Sequence, residues 1–152
     1  MLKVNKTIKE LELSRNNIDN KGIKYLSRVS KYNKTIIKLE INSNIDEIND
    51  IGMKYLYEGM KYWSSALKYN NNINELILYD IKISDIGMKY LTDALKYNKN
   101  INKLIFHNIK INNIGMKNLN KALKENKTIT ILYMFNNKIT NRGIIELCNM
   151  FS

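Results

Sequence analysis

The side chains most often used for chemistry are scarce in this sequence. It holds one cysteine, Cys148, and one histidine, His107. A reactive thiolate needs a base or cation beside it. Cys148 has no histidine nearby in its segment and reads as inert. His107 has no Cys, Asp or Glu at ligand spacing and reads as a contact residue rather than a metal ligand or base. No phosphate-cradling glycine loop, no His/Cys cluster and no His-Glu-x-x-His occurs. Neither a metal nor a cofactor is expected. The carboxylates are scattered, but Glu12 and Glu40 occupy equivalent places in the pattern described below, on neighbouring strands. Two carboxylates one strand apart could do acid–base work inside a pocket; without one they serve recognition or solvation.

Positive charge is plentiful. Lys and Arg number 25 against 14 acidic residues, giving a net charge of +11 and an isoelectric point near 9.6. Almost all of it is lysine, the arginines being Arg15, Arg28 and Arg142. Lys, Asn, Ile and Tyr share A/T-rich codons, so a skewed genome accounts for much of this charge without a selected partner. The lysines nevertheless recur in register. Lys24, Lys54, Lys89 and Lys117 each follow a recurring glycine by two positions, and Lys31, Lys96 and Lys124 lie seven further on. Stacked helices would display them as rows able to meet RNA or anionic lipid. The scarcity of arginine and the lack of a nucleic-acid motif favour a plain solvated face.

The elements that carry these residues follow from repetition. Five of the six glycines mark one position: Gly22, Gly52, Gly87, Gly115 and Gly143. The last two intervals are 28 residues; the first two are 30 and 35. Before each glycine comes a segment of period-2 apolar residues, the mark of a short strand: Leu11/Leu13, Leu39/Ile41, Leu76/Leu78, Leu104/Phe106 and Leu132/Met134. After it the apolar spacing becomes helical, as in Leu119 followed by Ala122-Leu123. Three residues ahead of each glycine stands Asp19, Asn49, Ser84, Asn112 or Thr140, all residue types that cap helix N-termini through a side-chain oxygen. Each unit is thus strand, turn and capped helix. Neither element buries its apolar face alone, so stacking must build one continuous core. The absence of proline is consistent with an uninterrupted array.

The pattern Leu-x-x-Leu-x-Leu-x-x-Asn-x-Ile, followed by glycine and a helix ending in Ala-Leu, resembles the ribonuclease-inhibitor-like class of leucine-rich repeats over essentially the whole chain. The resemblance implies an α/β fold: a right-handed horseshoe solenoid of five strand–helix repeats, with a parallel sheet on the concave side and helices on the convex side. The units run approximately 5–32, 33–69, 70–97, 98–125 and 126–152, as a single domain. The class is united by binding rather than by chemistry, and includes enzyme inhibitors and activators. One departure concerns the Asn position of the motif, which holds Asn16, Asn44 and Asn137 but Ile81 and Ile109 in the middle units. Isoleucine there predicts a drier, differently packed turn.

Three further features bear on function. Seven extra residues lie between Leu56 and Ala66, where Gly59-Met-Lys-Tyr-Trp63 duplicates Gly52-Met-Lys-Tyr-Leu56. A heptad preserves the helical face, so the second helix is expected to be about 10 Å longer than its neighbours. It presents either a knob tipped by Tyr62 and Trp63 or a stripe covering adjacent units. On the concave sheet, side chains alternate. One column then reads Glu12, Glu40, Ile77, Ile105, Tyr133 and the next Ser14, Asn42, Tyr79, His107, Phe135. The polar, acidic start gives way to an apolar, aromatic end of the kind found at protein interfaces. Both termini lack an obvious polar cap, which leaves homodimerisation through the ends open.

With 44% hydrophobic residues the chain can form a real core. No apolar run reaches the roughly 18 residues of a membrane span, and Met1-Leu2-Lys3-Val4-Asn5-Lys6 lacks a signal-peptide core. A cytoplasmic location is therefore expected, with the Asn-Lys-Thr triplets at Asn5, Asn33 and Asn126 unmodified. The expected function is non-enzymatic binding of a protein partner on the concave face, through Ile77, Tyr79, Ile105, His107, Tyr133 and Phe135, with Glu12 and Glu40 at its acidic end. The alternatives are a basic binder of nucleic acid or anionic membrane, which the composition disfavours, and a regulator of a partner enzyme.

Overall fold

A computed structural model describes residues 2–16, 18–42, 51–52, 54–55 and 72–148. The heptad insertion with Tyr62 and Trp63, and the turn residues Asn44 and Asn49, lie outside these. Five strands form one parallel sheet in chain order: β1 (Glu10–Leu13), β2 (Lys38–Asn42), β3 (Glu75–Tyr79), β4 (Lys103–His107) and β5 (Ile131–Phe135). Four helices are described: α1 (Asn20–Tyr32), α2 (Asp85–Tyr97), α3 (Asn113–Glu125) and α4 (Asn141–Cys148). Helix α2 packs on α3 and α3 on α4, as each strand packs on the next.

The core lies between the inward face of the sheet and the apolar stripes of the helices. Leu76, Leu78, Leu104 and Phe106 from β3 and β4 meet Met88, Leu91, Met116 and Leu119 from α2 and α3, all buried. Burying one such side chain stabilises the fold by about 1.5–3 kcal/mol. Towards both ends of the array the corresponding residues, Leu11 and Leu13 in β1 and Leu132 and Met134 in β5, are only half buried.

The recurring glycines permit close approach. At Gly143 an added Cβ would sit 2.9 Å from Ile139 Cγ2 and 3.0 Å from Asn113 Oδ1 of the preceding unit. At Gly115 it would lie 3.2 Å from both Ile111 Cγ2 and Met88 Cγ. The first helical turn thus presses on its own turn and on the previous helix. Capping follows the expected residues in three units. Asp19 accepts from Gly22 N, Ser84 from Ile86 and Gly87 N, and Asn112 from Ile114 and Gly115 N. Thr140 instead donates its hydroxyl to Asn113 Oδ1 at 2.9 Å, tying α4 to the unit before it.

Two asparagine systems stitch the units together. The motif asparagine Asn137 donates to the carbonyls of Phe106 and Phe135 and accepts from Ile109 N. Where Ile81 and Ile109 replace it, those side chains join the core at 1% and 0% exposure, as a drier turn requires. The second system is Asn5, Asn33, Asn98 and Asn126, at the start of four of the units. Each accepts two backbone N–H bonds from the residues two and three places later. Asn33 and Asn126 also donate back across the repeat, Asn33 to the carbonyls of Leu2 and Asn5, Asn126 to those of Leu95 and Asn98. The asparagines of the Asn-Lys-Thr triplets at these two positions are therefore bridges between units, 5% and 6% exposed, with their amide nitrogens committed.

Candidate functional site

The open face of the sheet, opposite the helices, is built from alternate residues of the five strands. The register aligns Glu12, Glu40, Ile77, Ile105 and Tyr133 in one row, and Asn42, Tyr79, His107 and Phe135 in the next. These are the rows that the repeat predicts. A third row, Glu10, Lys38, Glu75, Lys103 and Ile131, alternates in sign. Lys38 Nζ lies 3.6 Å from Glu10 Oε2, and Lys103 pairs with Glu75. The hydrogen bond to Glu75 raises the Lys103 pKa. Opposite charges across neighbouring strands stabilise the pairing, so this row supports the sheet.

At the β3–β5 end the face is aromatic. Tyr79 and His107 stack with ring centroids 4.0 Å apart and planes within 3°. Phe135 follows at 6.3 Å from His107, and Tyr133 lies 5.5 Å from Phe135. Ile131, Tyr133 and Phe135 are exposed, at 39%, 45% and 51%. Tyr79, Ile105 and His107 are half buried. Ile77 departs from the sequence expectation of an exposed contact: flanked by Glu40 and Ile105 in its row, it is buried at 7% exposure and forms the floor of the face.

The β1–β2 end is a different surface. Ser14 Oγ lies 2.8 Å from Glu12 Oε1 and 3.0 Å from Glu40 Oε1, so two carboxylates converge on one hydroxyl proton. Beside them is an open recess lined by Glu12, Ser14, Arg15, Glu40, Asn42, Tyr79 and Asp80. Asn42 is 7% exposed, and among the described residues its buried Oδ1 meets no hydrogen-bond donor. Arg15 and Asp80 were not legible as site residues in the sequence. They follow the strand ends with φ of 55° and 53°, a left-handed conformation that turns the chain at the lip of the face. The signal for them was positional, since Asn108 and Asn136 occupy the same place with the same backbone.

Among the described residues the polar groups of Glu12, Ser14, Glu40 and Asp80 on this face are engaged in structural contacts. His107 Nδ1 is 4.0 Å from Asp80 Oδ1, beyond hydrogen-bond reach. Asp80 Oδ1 instead accepts from Asn108 Nδ2 at 2.7 Å. Among the described residues no group of three or more His, Cys, Asp and Glu side chains is placed to hold a metal ion. Cys148 is free and exposed. On the helical side the lysine rows are broken by acidic residues. Lys96 pairs with Glu125 at 2.9 Å, and a shallow groove between α2 and α3 mixes Lys89 and Lys121 with Asp93 and Glu125.

The sequence pattern of the Leucine Rich repeat family matches residues 4–27 and again 125–148. Each match runs through a strand and turn into a helix, the second starting at the last residue of α3. Among solved structures, 65 chains match. One, titled Leiomodin-1 Actin-Binding Site 2, superposes over 98% of this chain and 82% of its own with a TM-score of 0.76. The fold is a leucine-rich-repeat solenoid. At 21% identity the likeness to leiomodin-1 is one of architecture. No curated protein sequence matches the chain. In this leucine-rich-repeat array the open sheet face is built from one side chain per strand in each row. Its character changes from acidic to aromatic between β2 and β3.

Proposed function

We propose that this leucine-rich-repeat chain is a non-enzymatic binding module that grips a partner protein on the open face of its sheet. The carrying observation is the contiguous aromatic half, where exposed Tyr133 and Phe135 adjoin the stacked pair Tyr79 and His107. Rigid amphipathic rings concentrate binding energy at low entropic cost, and patches of this kind mark interfaces. The residues proposed as contacts are Tyr79, Ile105, His107, Tyr133 and Phe135, with Glu12 and Glu40 at the acidic end. The 28-residue interval between the last three recurring glycines and the 13-residue helices α1, α2 and α3 fit the ribonuclease-inhibitor-like class. A reducing compartment such as the cytoplasm suits the free Cys148.

The test is a comparison of partner capture from native cells by the wild-type chain and by Tyr133→Ala/Phe135→Ala. Loss of a specific band in the variant supports the face; capture of the same partner at unchanged yield refutes it. Leiomodin-1's matching segment is by title an actin-binding site, so co-sedimentation with filamentous actin is the first defined partner to try. The basic-surface alternative is weakened by Asp93 and Glu125 among the lysines. It would require binding that falls steeply with salt.

A further inference from the structure

We propose that two copies of this chain pair across the β5–α4 end of the array, strand β5 running antiparallel to its own copy. The pairing does not depend on what the open face grips. An unpaired strand edge is a template for further pairing, and charged side chains are a common guard against it. The two edges of this sheet differ in that respect. β1 carries Glu10 and Glu12 and is flanked by Lys9 and Arg15. β5 reads Ile-Leu-Tyr-Met-Phe and carries no charge. Among the described residues no strand pairs with its outer edge. The last unit also gives up charge at two positions that are charged in every other unit. The strand row Glu10, Lys38, Glu75, Lys103 ends in Ile131, and the helix row Lys24, Lys54, Lys89, Lys117 ends in Ile145. Both isoleucines are exposed, as is Ile144, which stands where Met88 and Met116 are buried. Exposed isoleucines gathered at one end of a molecule mark a contact surface.

The backbone sets the register. Ile131 N donates to Asn102 O at 3.0 Å, and Phe135 O accepts from Asn108 N at 2.9 Å, both on the side of the preceding unit. Backbone groups alternate between the two sides of a strand, so the N–H and C=O groups of Leu132 and Met134 face outward. A two-fold axis at Tyr133 sets Leu132 opposite Met134 of the copy, a pair that exchanges two backbone hydrogen bonds. Ile131 then lies opposite Phe135, and Tyr133 meets its own copy. Every apolar side chain keeps its face: half-buried Leu132 and Met134 extend the core, and Ile131, Tyr133 and Phe135 extend the open aromatic face. A slip of one residue would lose the bonds and set core-facing side chains against open-facing ones. Charge selects a copy as the occupant. Each chain carries +11, so a symmetric contact has to keep like charges apart. β5 contributes none. Arg142 and Glu146 lie on either side of Ile144, so in an antiparallel α4 pair centred there Arg142 of each copy faces Glu146 of the other.

Sedimentation equilibrium of the full chain should show a concentration-dependent association that stops at the dimer. Ile131→Lys/Ile145→Lys restores a charge where the other units carry one, so it is compatible with the fold, and an unchanged far-UV circular dichroism spectrum verifies this. The dimer dissociation constant should rise at least about tenfold in that variant. Register is read by disulfide formation in a Cys148→Ser background. Opposed residues of a non-hydrogen-bonded antiparallel pair lie about 4.5 Å apart at Cα, within disulfide range. Tyr133→Cys should therefore crosslink two chains under mild oxidation. Ile131→Cys should not, because residue 131 of the copy lies roughly 13 Å along the strand. A wild-type chain that stays monomeric up to its solubility limit overturns the proposal. So does an open-ended polymer, a dimer indifferent to lysine at both positions, or equal crosslinking at 131 and 133.

Discussion

Asn126→Ala tests how the stack is held. The Asn126 side chain, 6% exposed, makes four bonds to backbone. Its Oδ1 accepts from Thr128 N at 2.8 Å and Ile129 N at 2.9 Å. Its Nδ2 donates to Leu95 O at 2.7 Å and Asn98 O at 2.9 Å. Truncation leaves all four backbone groups without that partner. Leu95 O keeps a second donor, Asn98 N at 3.2 Å, and is partly compensated. Thr128 and Ile129 are half buried, so water reaches their N–H groups in part, whereas Asn98 is buried at 2% exposure. At about 1–3 kcal/mol per orphaned buried group, discounted for that hydration, the loss is about 3–5 kcal/mol. That is a large share of the 5–15 kcal/mol typical of a domain. Asn5 is the internal control: it accepts the same two bonds, from Thr7 N and Ile8 N, but among the described residues its Nδ2 reaches only Thr7 Oγ1. Asn5→Ala should cost under about 1 kcal/mol, at the weaker end of hydrogen-bond contributions. Urea unfolding followed by far-UV circular dichroism measures both. If Asn126→Ala costs no more than Asn5→Ala, the asparagine ladder does not hold the units together.

Gly143→Ala should destabilise by about 1–3 kcal/mol, because its Cβ meets Ile139 and Asn113 at or below 3.0 Å; thermal unfolding at unchanged Tm contradicts the close-approach role. Tyr133→Ala/Phe135→Ala should change stability by less than about 1 kcal/mol for these exposed residues, while partner capture is lost; a large drop in Tm would make them structural instead. Lys103 holds its proton to higher pH than an ordinary lysine because Glu75 accepts a hydrogen bond from it. Its raised folded-state pKa means the stabilising contribution is complete below the ordinary lysine value and is lost as pH rises through the raised one. Glu75→Gln should lower the Lys103 titration seen by NMR, and an unmoved titration refutes the pairing.

Much of this architecture was readable in the residue order, because each unit specifies itself. The alternation of Leu104 and Phe106, the cap at Asn112 and the glycine at 115 act within a few residues of one another, and local geometry does not wait for the rest of the chain. Repetition then aligned the rows: once units stack at 28 residues, Ile77 must lie beside Ile105 and Ile105 beside Tyr133. What tertiary structure alone decided lies between units. Asn33 and Asn126 looked like sequons, and only the neighbouring helix end and turn reveal them as bridges. Ile77 occupied a row read as exposed, and its burial depends on the side chains flanking it on β2 and β4. The oxygen of Asn42, unpartnered among the described residues, and the meeting of Glu12 with Glu40 through Ser14 arise from packing across strands. Periodicity states which residues share a face. Whether a side chain on that face is covered, paired or left waiting for a donor depends on its neighbours' volumes and hydrogen-bonding groups, which come together only when the units stack.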